Sequence, residues 1–220
     1  MGTTSTPETP DPGEFRSTLR KGPLEKGALR KALLENRARR TTEQRRALDE
    51  SLRVHVDAWL REALAGIEHP VIAAYVPAGD EPGATDRTGF LRSITAAAPG
   101  ARLLLPVCPP GPPQPLRWGF YRGELVRGRF GLSEPVPATE SLPPSSLSLA
   151  DAALLPALAA NPETGLRIGR GAGYYDRSLP LFDGRSAVVI FSDEIRDDIP
   201  GDAHDIPADA VISDAGFLRA

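Results

Sequence analysis

Ser186-Ala-Val-Val-Ile-Phe191 is the clearest strand in this chain, and Val71-Ile-Ala-Ala-Tyr-Val76, closed by Pro77 and Gly79, is a second run of the same kind. Short apolar runs bounded by turn residues read as strands buried inside a sheet. Working outward, Arg102–Val107 reads as another, ended by the proline cluster Pro109–Pro115; Asp151–Leu158 is a candidate and Ala210–Ile212 a short last one. The rest of the ordered chain has a helical period. Leu24–Arg40 carries Leu29, Ala32 and Leu33 on an apolar stripe. Thr41 followed by Gln44 has the spacing of a capping box and opens a helix whose Leu48, Leu52, Val56, Trp59, Leu60 and Ala63 recur every three or four residues. A further helix covers Asp86–Ala98. Apolar strands separated by helices predict an α/β fold, one domain with a mainly parallel sheet covered by helices on both faces.

Between these elements, Trp118–Gly131 reads as a β-hairpin or excursion with turn glycines, and Pro137–Pro144 as an exposed linker that does not divide domains. Residues 1–22, rich in Thr, Pro, Gly and charge, read as a mobile tail. Order begins at Pro23, a residue tolerated in the first turn of a helix, so the domain spans residues 23–220.

Composition narrows the function. With 220 residues the chain is long enough for one well-buried domain or at most two small ones. A net charge of −3 argues against a general nucleic-acid binder, whose footprint is basic. No apolar run approaches the ~20 residues that span a bilayer, and the polar, proline-bearing start does not resemble a secretory signal. The single Cys108 has no internal disulfide partner, which fits a reducing cytoplasm; it reads as a small buried apolar residue.

Chemistry concentrates in Arg167-Ile-Gly-Arg-Gly-Ala-Gly-Tyr-Tyr-Asp176. Glycines at alternate positions let backbone N–H groups turn toward one point and let a ligand approach closely. Arg167 and Arg170 add forked positive charge suited to phosphate, and Asp176 offers a hard oxygen to a divalent cation. The run lacks the third glycine of the dinucleotide fingerprint, because Tyr174 stands there, and it lacks the Gly-Lys-Ser/Thr end of a Walker loop. By pattern alone, a phosphate cradle and an ordinary turn are about equally good readings; the arginines and the Tyr-Tyr-Asp tail favour the cradle. Ligands in open α/β sheets sit at the carboxyl ends of strands. If the loops Pro77–Thr85, Arg167–Asp176 and Ser192–Asp205 converge there, they bring together Glu81, Arg167, Arg170, Asp176 and Asp205, a charge density suited to a triphosphate and magnesium. Lys26, Arg30 and Arg37, at offsets of four and eleven, share one face of the first helix, and a solvated basic face is the usual reason for such a stripe.

Taken in order, Lys26-Gly-Ala-Leu-Arg30, Tyr75-Val-Pro-Ala-Gly-Asp-Glu81-Pro-Gly83, the Arg167–Asp176 loop and His204-Asp205-Ile-Pro-Ala-Asp209 resemble the 5-formyltetrahydrofolate cyclo-ligase family, also called 5,10-methenyltetrahydrofolate synthetase. The resemblance runs from about Lys26 to Asp214. It implies a NagB/RpiA/CoA transferase-like fold and a reaction in which ATP and magnesium drive 5-formyltetrahydrofolate to 5,10-methenyltetrahydrofolate, giving ADP and phosphate. Residue by residue, it implies ATP contacts from Lys26 and Arg30 and from the loop Arg167, Ile168, Gly169, Arg170, Gly171, Ala172, Gly173, Tyr174 and Tyr175. It further implies substrate contacts from Arg30, Val76, Glu81 and the stretch Arg170–Tyr174, magnesium ligands in Asp176 and Asp205, and a catalytic role for Arg170. Asn161 and Pro162–Gly165 depart from the Phe-Asp type of segment common before this loop, and Ala172 fills a variable place; neither removes a charge the reaction needs.

The remaining conspicuous residues divide. Trp59 reads as core. Trp118 and Phe120 read equally well as a stacking platform for a pterin or p-aminobenzoate ring and as hairpin packing. His55, His69 and His204 have no metal spacing. The competing functions are a folate- or nucleotide-binding module without turnover and a relative acting on another formylated amine. Neither nucleic acid nor membrane is an expected partner, and the chain is expected to be a monomer or small homo-oligomer.

Overall fold

The computed structural model describes residues 23–136, 141–202 and 204–220. The tail expected over residues 1–22 and residues 137–140 of the expected linker lie outside the described residues. The helices are α1 (Pro23–Arg39), α2 (Thr42–Ala63) and α3 (Arg87–Ala97), and α2 follows the expected apolar periodicity. The capping box that opens α2 is formed: Gln44 N donates to Thr41 Oγ1 at 3.1 Å and Thr41 N to Gln44 Oε1 at 2.9 Å. Asp86 caps α3 by accepting from Gly89 N at 2.9 Å.

A seven-stranded sheet forms the centre. Its strands are β1 (Val71–Ala74), β2 (Arg102–Val107), β3 (Arg117–Phe120), β6 (Ala152–Pro156), β9 (Arg185–Val189), β10 (Ala210–Ser213) and β11 (Gly216–Arg219), in the order β11-β10-β9-β6-β1-β2-β3. The five inner strands are parallel, and β11 and β3 join antiparallel at the two edges. Because side chains alternate across a strand, the apolar runs fill two cores. Ile72, Leu103, Leu154 and Val189 pack with Leu52, Trp59, Phe90 and Ile94 of α2 and α3. Val71, Leu104, Leu155 and Val188 pack on the other face with Trp118, Leu147 and Leu179. That second face is covered by short helical pieces, Pro144–Leu149, α4 (Tyr174–Ser178) and Leu179–Leu181, rather than by long helices.

Three sequence expectations change. Trp118–Gly131 is not a self-contained hairpin: β3 pairs with β2, while β4 (Leu125–Arg127) pairs with β5 (Ser133–Pro135) beyond the stretch. The described part of the expected linker is not free, since Trp118 and Leu142 exchange backbone hydrogen bonds of 3.2 and 2.7 Å. Along α1 the stripe is rotated: Ala32 is exposed, whereas Arg37, expected on a solvated basic face, is 1 % exposed. Lys26, Arg30, Leu33 and Arg37 thus form the inward face of α1. Leu33 packs with Leu158, Ala159, Ile168 and Ile199 in a small third cluster. This contact sets α1 against β7 (Ala159–Ala160) and β8 (Arg167–Ile168), the antiparallel ribbon that carries the glycine loop.

Candidate active site

All five inner strands present their carboxyl ends to the same edge of the sheet, the edge where ligands bind in open parallel sheets. A cavity of about 660 Å³ opens there, walled by Tyr75 and Val76 after β1, Cys108 after β2, Ala157 after β6 and the Arg167–Asp176 loop. The β7–β8 ribbon delivers that loop. At its turn Asn161 is buried, its Oδ1 accepting from Glu163 N and Thr164 N and its Nδ2 donating to Asp197 O. The segment that departs from the family pattern is therefore a side-chain-closed turn that holds the ribbon.

Within the loop, Gly171 and Gly173 take φ of +100° and +73°, a region that side chains with a Cβ disfavour. A Cβ on Gly171 would point at the Arg30 guanidinium, 3.5 Å from Nε. Arg30 in turn donates from Nε to Gly169 O at 3.0 Å. Helix α1 and the loop thus close on one another with a narrow polar gap between them.

Each remaining cation at the cavity faces a carboxylate. Lys26 Nζ lies 2.5 Å from Asp202 and 3.6 Å from Asp205. Arg167, nearly buried, donates to Asp176 at 2.6 Å and to Ile206 O at 2.7 Å. Burial pulls its guanidinium below the ordinary value, and the Asp176 and Asp205 charges work against that fall. Arg170 pairs with Asp80 and, at 3.2 Å, with Glu81. Burial pushes the Glu81 carboxyl above its usual range, opposed by the Ala78 N–H it accepts at 2.9 Å and by Arg170 and Arg37. Burial also raises the Tyr75 and Tyr175 phenols, and Tyr75 donates to Pro82 O at 2.7 Å. The described lining balances Lys26, Arg30, Arg167 and Arg170 against Glu81, Glu134, Asp176 and Asp205.

A family model for the 5-formyltetrahydrofolate cyclo-ligase family matches residues 24–214. The chain belongs to the 5-formyltetrahydrofolate cyclo-ligase family. It is 40 % identical over 199 residues to the 5-formyltetrahydrofolate cyclo-ligase of Mycolicibacterium smegmatis, covering 87 % of this chain and 94 % of that protein. A 5-formyltetrahydrofolate cyclo-ligase of Saccharomyces cerevisiae is 30 % identical over 100 residues, 42 % of this chain and 45 % of its own length. Among solved structures, the Aquifex aeolicus 5,10-methenyltetrahydrofolate synthetase superposes with a TM-score of 0.67 at 29 % identity, over 88 % of this chain and 92 % of that one. The Mycoplasma pneumoniae 5,10-methenyltetrahydrofolate synthetase, at 22 % identity, shares the fold with a TM-score of 0.65, over 86 % and 99 % of the two chains.

Every position implied by the cyclo-ligase resemblance lines this one cavity: Lys26, Arg30, Val76, Glu81, the loop Arg167–Tyr175, Asp176 and Asp205. Trp118 and Phe120 do not. Trp118 is buried in the second core, and Phe120 lies under the Arg102 guanidinium, 4.5 Å from it, so both belong to packing. Cys108 is half-buried in the cavity wall rather than sunk in the core, and burial raises its thiol pKa. Among the described residues no three His, Cys, Asp or Glu side chains converge as a metal site, and no helix is long and apolar enough to cross a membrane.

Sequence reasoning missed one wall. Phe130, Leu132, Ser133 and Glu134, around the β4–β5 hairpin, also line the cavity. Phe130 is 68 % exposed at φ +56°, with the Arg129 guanidinium 4.7 Å from its ring; Arg129 is tied to Pro109 O and Gly111 O. Glu134 is 4 % exposed and accepts from Cys108 N at 3.0 Å. The one local signal was Gly128-Arg-Phe-Gly131, an aromatic residue held between glycines.

Proposed function

We propose that this chain converts 5-formyltetrahydrofolate to 5,10-methenyltetrahydrofolate at the expense of ATP, with magnesium, in the cytoplasm. The observation that carries the reading is the closure of α1 onto the glycine loop, Arg30 Nε to Gly169 O at 3.0 Å. It brings the cations of two distant segments to one cavity, on an enzyme family whose named relatives are cyclo-ligases.

The reaction explains the donor set. A formamide oxygen is a poor leaving group, so N10 cannot expel it directly. Transfer of the γ-phosphoryl group of ATP to that oxygen makes it a phosphate. N10 then attacks the formyl carbon, the C–O bond breaks, N10 loses its proton, and phosphate and ADP are released. Phosphoryl transfer asks for positioning and charge stabilisation more than for a protein nucleophile. In this reading Lys26, Arg30 and Arg167 hold phosphate oxygens. The backbone of Gly169–Gly173 approaches them without side chains in the way. Arg170 leaves Asp80 and Glu81 to meet the charge that develops on the transferred group. Val76 and Tyr174 contact the substrate, and Glu81, once released by Arg170, accepts hydrogen bonds from the pterin edge, a contact that discriminates strongly when buried.

The lining fits a metal-bound triphosphate. Its cations are balanced by its own carboxylates, so a polyanion entering needs added positive charge. Asp176 and Asp205 would hold magnesium as two ligands, leaving the other positions to phosphate oxygens and water. Bound there, magnesium supplies charge neutralisation of the phosphates.

The test is direct. Purified protein with 5-formyltetrahydrofolate, ATP and magnesium should develop the methenyltetrahydrofolate absorbance and release one ADP per product, and omission of either ATP or magnesium should abolish both. ATP binding without product, measured by calorimetry, would leave a binding module. ADP release with another formylated amine but not with 5-formyltetrahydrofolate would move the chain to a different substrate.

A further inference from the structure

Arg37 sits at the opposite end of α1 from Lys26 and is 1 % exposed. Its guanidinium grips Glu194 with two hydrogen bonds, Nε to Oε1 at 2.7 Å and Nη2 to Oε2 at 2.6 Å, and Nη2 also donates to Ala157 O at 2.7 Å. Glu194 Oε2 accepts in addition from Phe191 N at 2.9 Å, and Oε1 from Arg40 Nη1 at 3.3 Å. Arg40 also pairs with Asp193 at 2.5 Å, and the Arg37 and Arg40 guanidinium carbons lie 5.7 and 4.3 Å from the centre of the Phe191 ring. Ala157 follows β6 and Phe191 follows β9, two neighbouring parallel strands. One buried ion pair therefore ties the end of α1 to the carboxyl edges of both.

The rest of the attachment of α1 is modest. Among its described side chains Leu33 is the one buried apolar residue, with Leu29 and Leu34 partly covered. At its other end Lys26 meets the partly exposed acids Asp202 and Asp205, and Arg30 meets the Gly169 carbonyl. From Arg37 to Lys26 the helix runs about 16 Å at 1.5 Å per residue, so a tilt of about 4° at the buried pair displaces the lysine by about 1 Å. Misplacements of that size weaken positioning strongly in phosphoryl transfer.

We propose that Arg37 and Glu194 are positioning residues: a buried clamp that sets the tilt of α1 and so places Lys26 and Arg30 over the glycine loop for the triphosphate. This rests on the ATP-dependent reading of the site. Burial disfavours the Arg37 charge, yet the hydrogen bonds and charge of Glu194 outweigh that and leave the guanidinium more basic than usual, so Arg37 stays a cation. Arg37 does not line the cavity, and its effect on phosphate passes through the helix.

The test uses the double variant Arg37→Met/Glu194→Gln in the full chain. Removing both charges avoids an uncompensated buried ion and leaves an acceptor for Phe191 N. Steady-state kinetics should show the KM for MgATP raised about tenfold or more, with the KM for 5-formyltetrahydrofolate within about threefold of the parent. Arg37→Lys, which keeps the charge and loses the fork, should fall between the two. Placed on a Lys26→Ala/Arg30→Ala background, the double variant should add less than about threefold to the KM for MgATP, because the clamp acts through those two residues. Hydrogen exchange without nucleotide should show faster exchange of α1 amides around Lys26–Leu33 than in the parent, at similar protection of the central sheet. Unchanged α1 exchange, an unchanged KM for MgATP, an equal rise in both KM values, or full additivity on the Lys26/Arg30 background would each overturn the proposal. A parent without turnover would sink the functional reading and the link to ATP with it, while the exchange measurement would still decide whether the pair fixes α1.

Discussion

Arg30 Nε donates to the carbonyl oxygen of Gly169 at 3.0 Å across 139 residues of sequence. A helix near one end of the chain is thereby latched to a loop that no local pattern connects with it. That closure adds Lys26 and Arg30 to a cavity lining that already holds Arg167 and Arg170. The latch also explains why Lys26 meets Asp205, since the same approach of α1 brings the lysine to the loop after β9.

Arg170→Ala removes the guanidinium proposed to meet the charge on the transferred phosphoryl group. The expected result is a fall in kcat of about 10²–10³-fold, the scale seen when one oxyanion donor is lost, with a smaller change in the KM for ATP. Methenyltetrahydrofolate absorbance at saturating substrates measures it. A kcat within a few-fold of the parent would remove Arg170 from the chemistry.

Gly171→Val forces a β-branched residue to φ +100°. Its Cβ has ordinary van der Waals distance to Arg30, so the cost is backbone strain of about 1–3 kcal/mol rather than collision. The loop relieves it by shifting, and MgATP affinity by calorimetry should drop roughly tenfold or more while far-UV circular dichroism stays that of the parent.

Asp176→Asn keeps a hydrogen-bond acceptor for Arg167 and removes a charge from the proposed magnesium site. At fixed ATP, the magnesium concentration giving half-maximal rate should rise several-fold. An unchanged midpoint would place the metal elsewhere.

Glu81 carries a pH signature. Burial raises its folded-state pKa, so the folded chain holds that proton to higher pH than the unfolded chain. Its contribution to stability is therefore fully present below the ordinary carboxylate range and is lost as pH rises through the raised value. Glu81→Gln removes this dependence. Relative to the parent, its Tm should be higher near about pH 7 than near about pH 4, while its KM for 5-formyltetrahydrofolate rises because a charged acceptor has been lost. A Tm difference that does not vary with pH would show that Glu81 is not perturbed.

Strand positions were legible where physics is local. Val71–Ala74 lies in one uninterrupted apolar run and β9 runs into another, Ala187–Phe191, and Thr41 with Gln44 carries the start of α2 in four residues. The composition of the glycine loop marked the cavity for the same reason. Arg37 was not legible: periodicity tells which residues share a helix face but not which face is covered, and its partner Glu194 lies 157 residues away. Trp118 misled because a glycine-rich stretch resembles a local hairpin, whereas its actual neighbours, β2 and Leu142, are set by the edge of the sheet. The wall formed by Phe130 and Glu134 left only the Gly128–Gly131 signal, because three-residue strands such as β4 and β5 are too short to carry an alternating pattern.

The most direct measurement is a crystal structure of the protein with a non-hydrolysable ATP analogue and magnesium. Phosphate oxygens should lie within hydrogen-bonding distance of Lys26 Nζ and the backbone N–H groups of Gly169–Gly173 together, with the metal bridging them to Asp176 or Asp205. A nucleotide bound away from the gap between α1 and the glycine loop, with the Lys26–Asp202 and Arg170–Asp80 pairs undisturbed, would contradict the account.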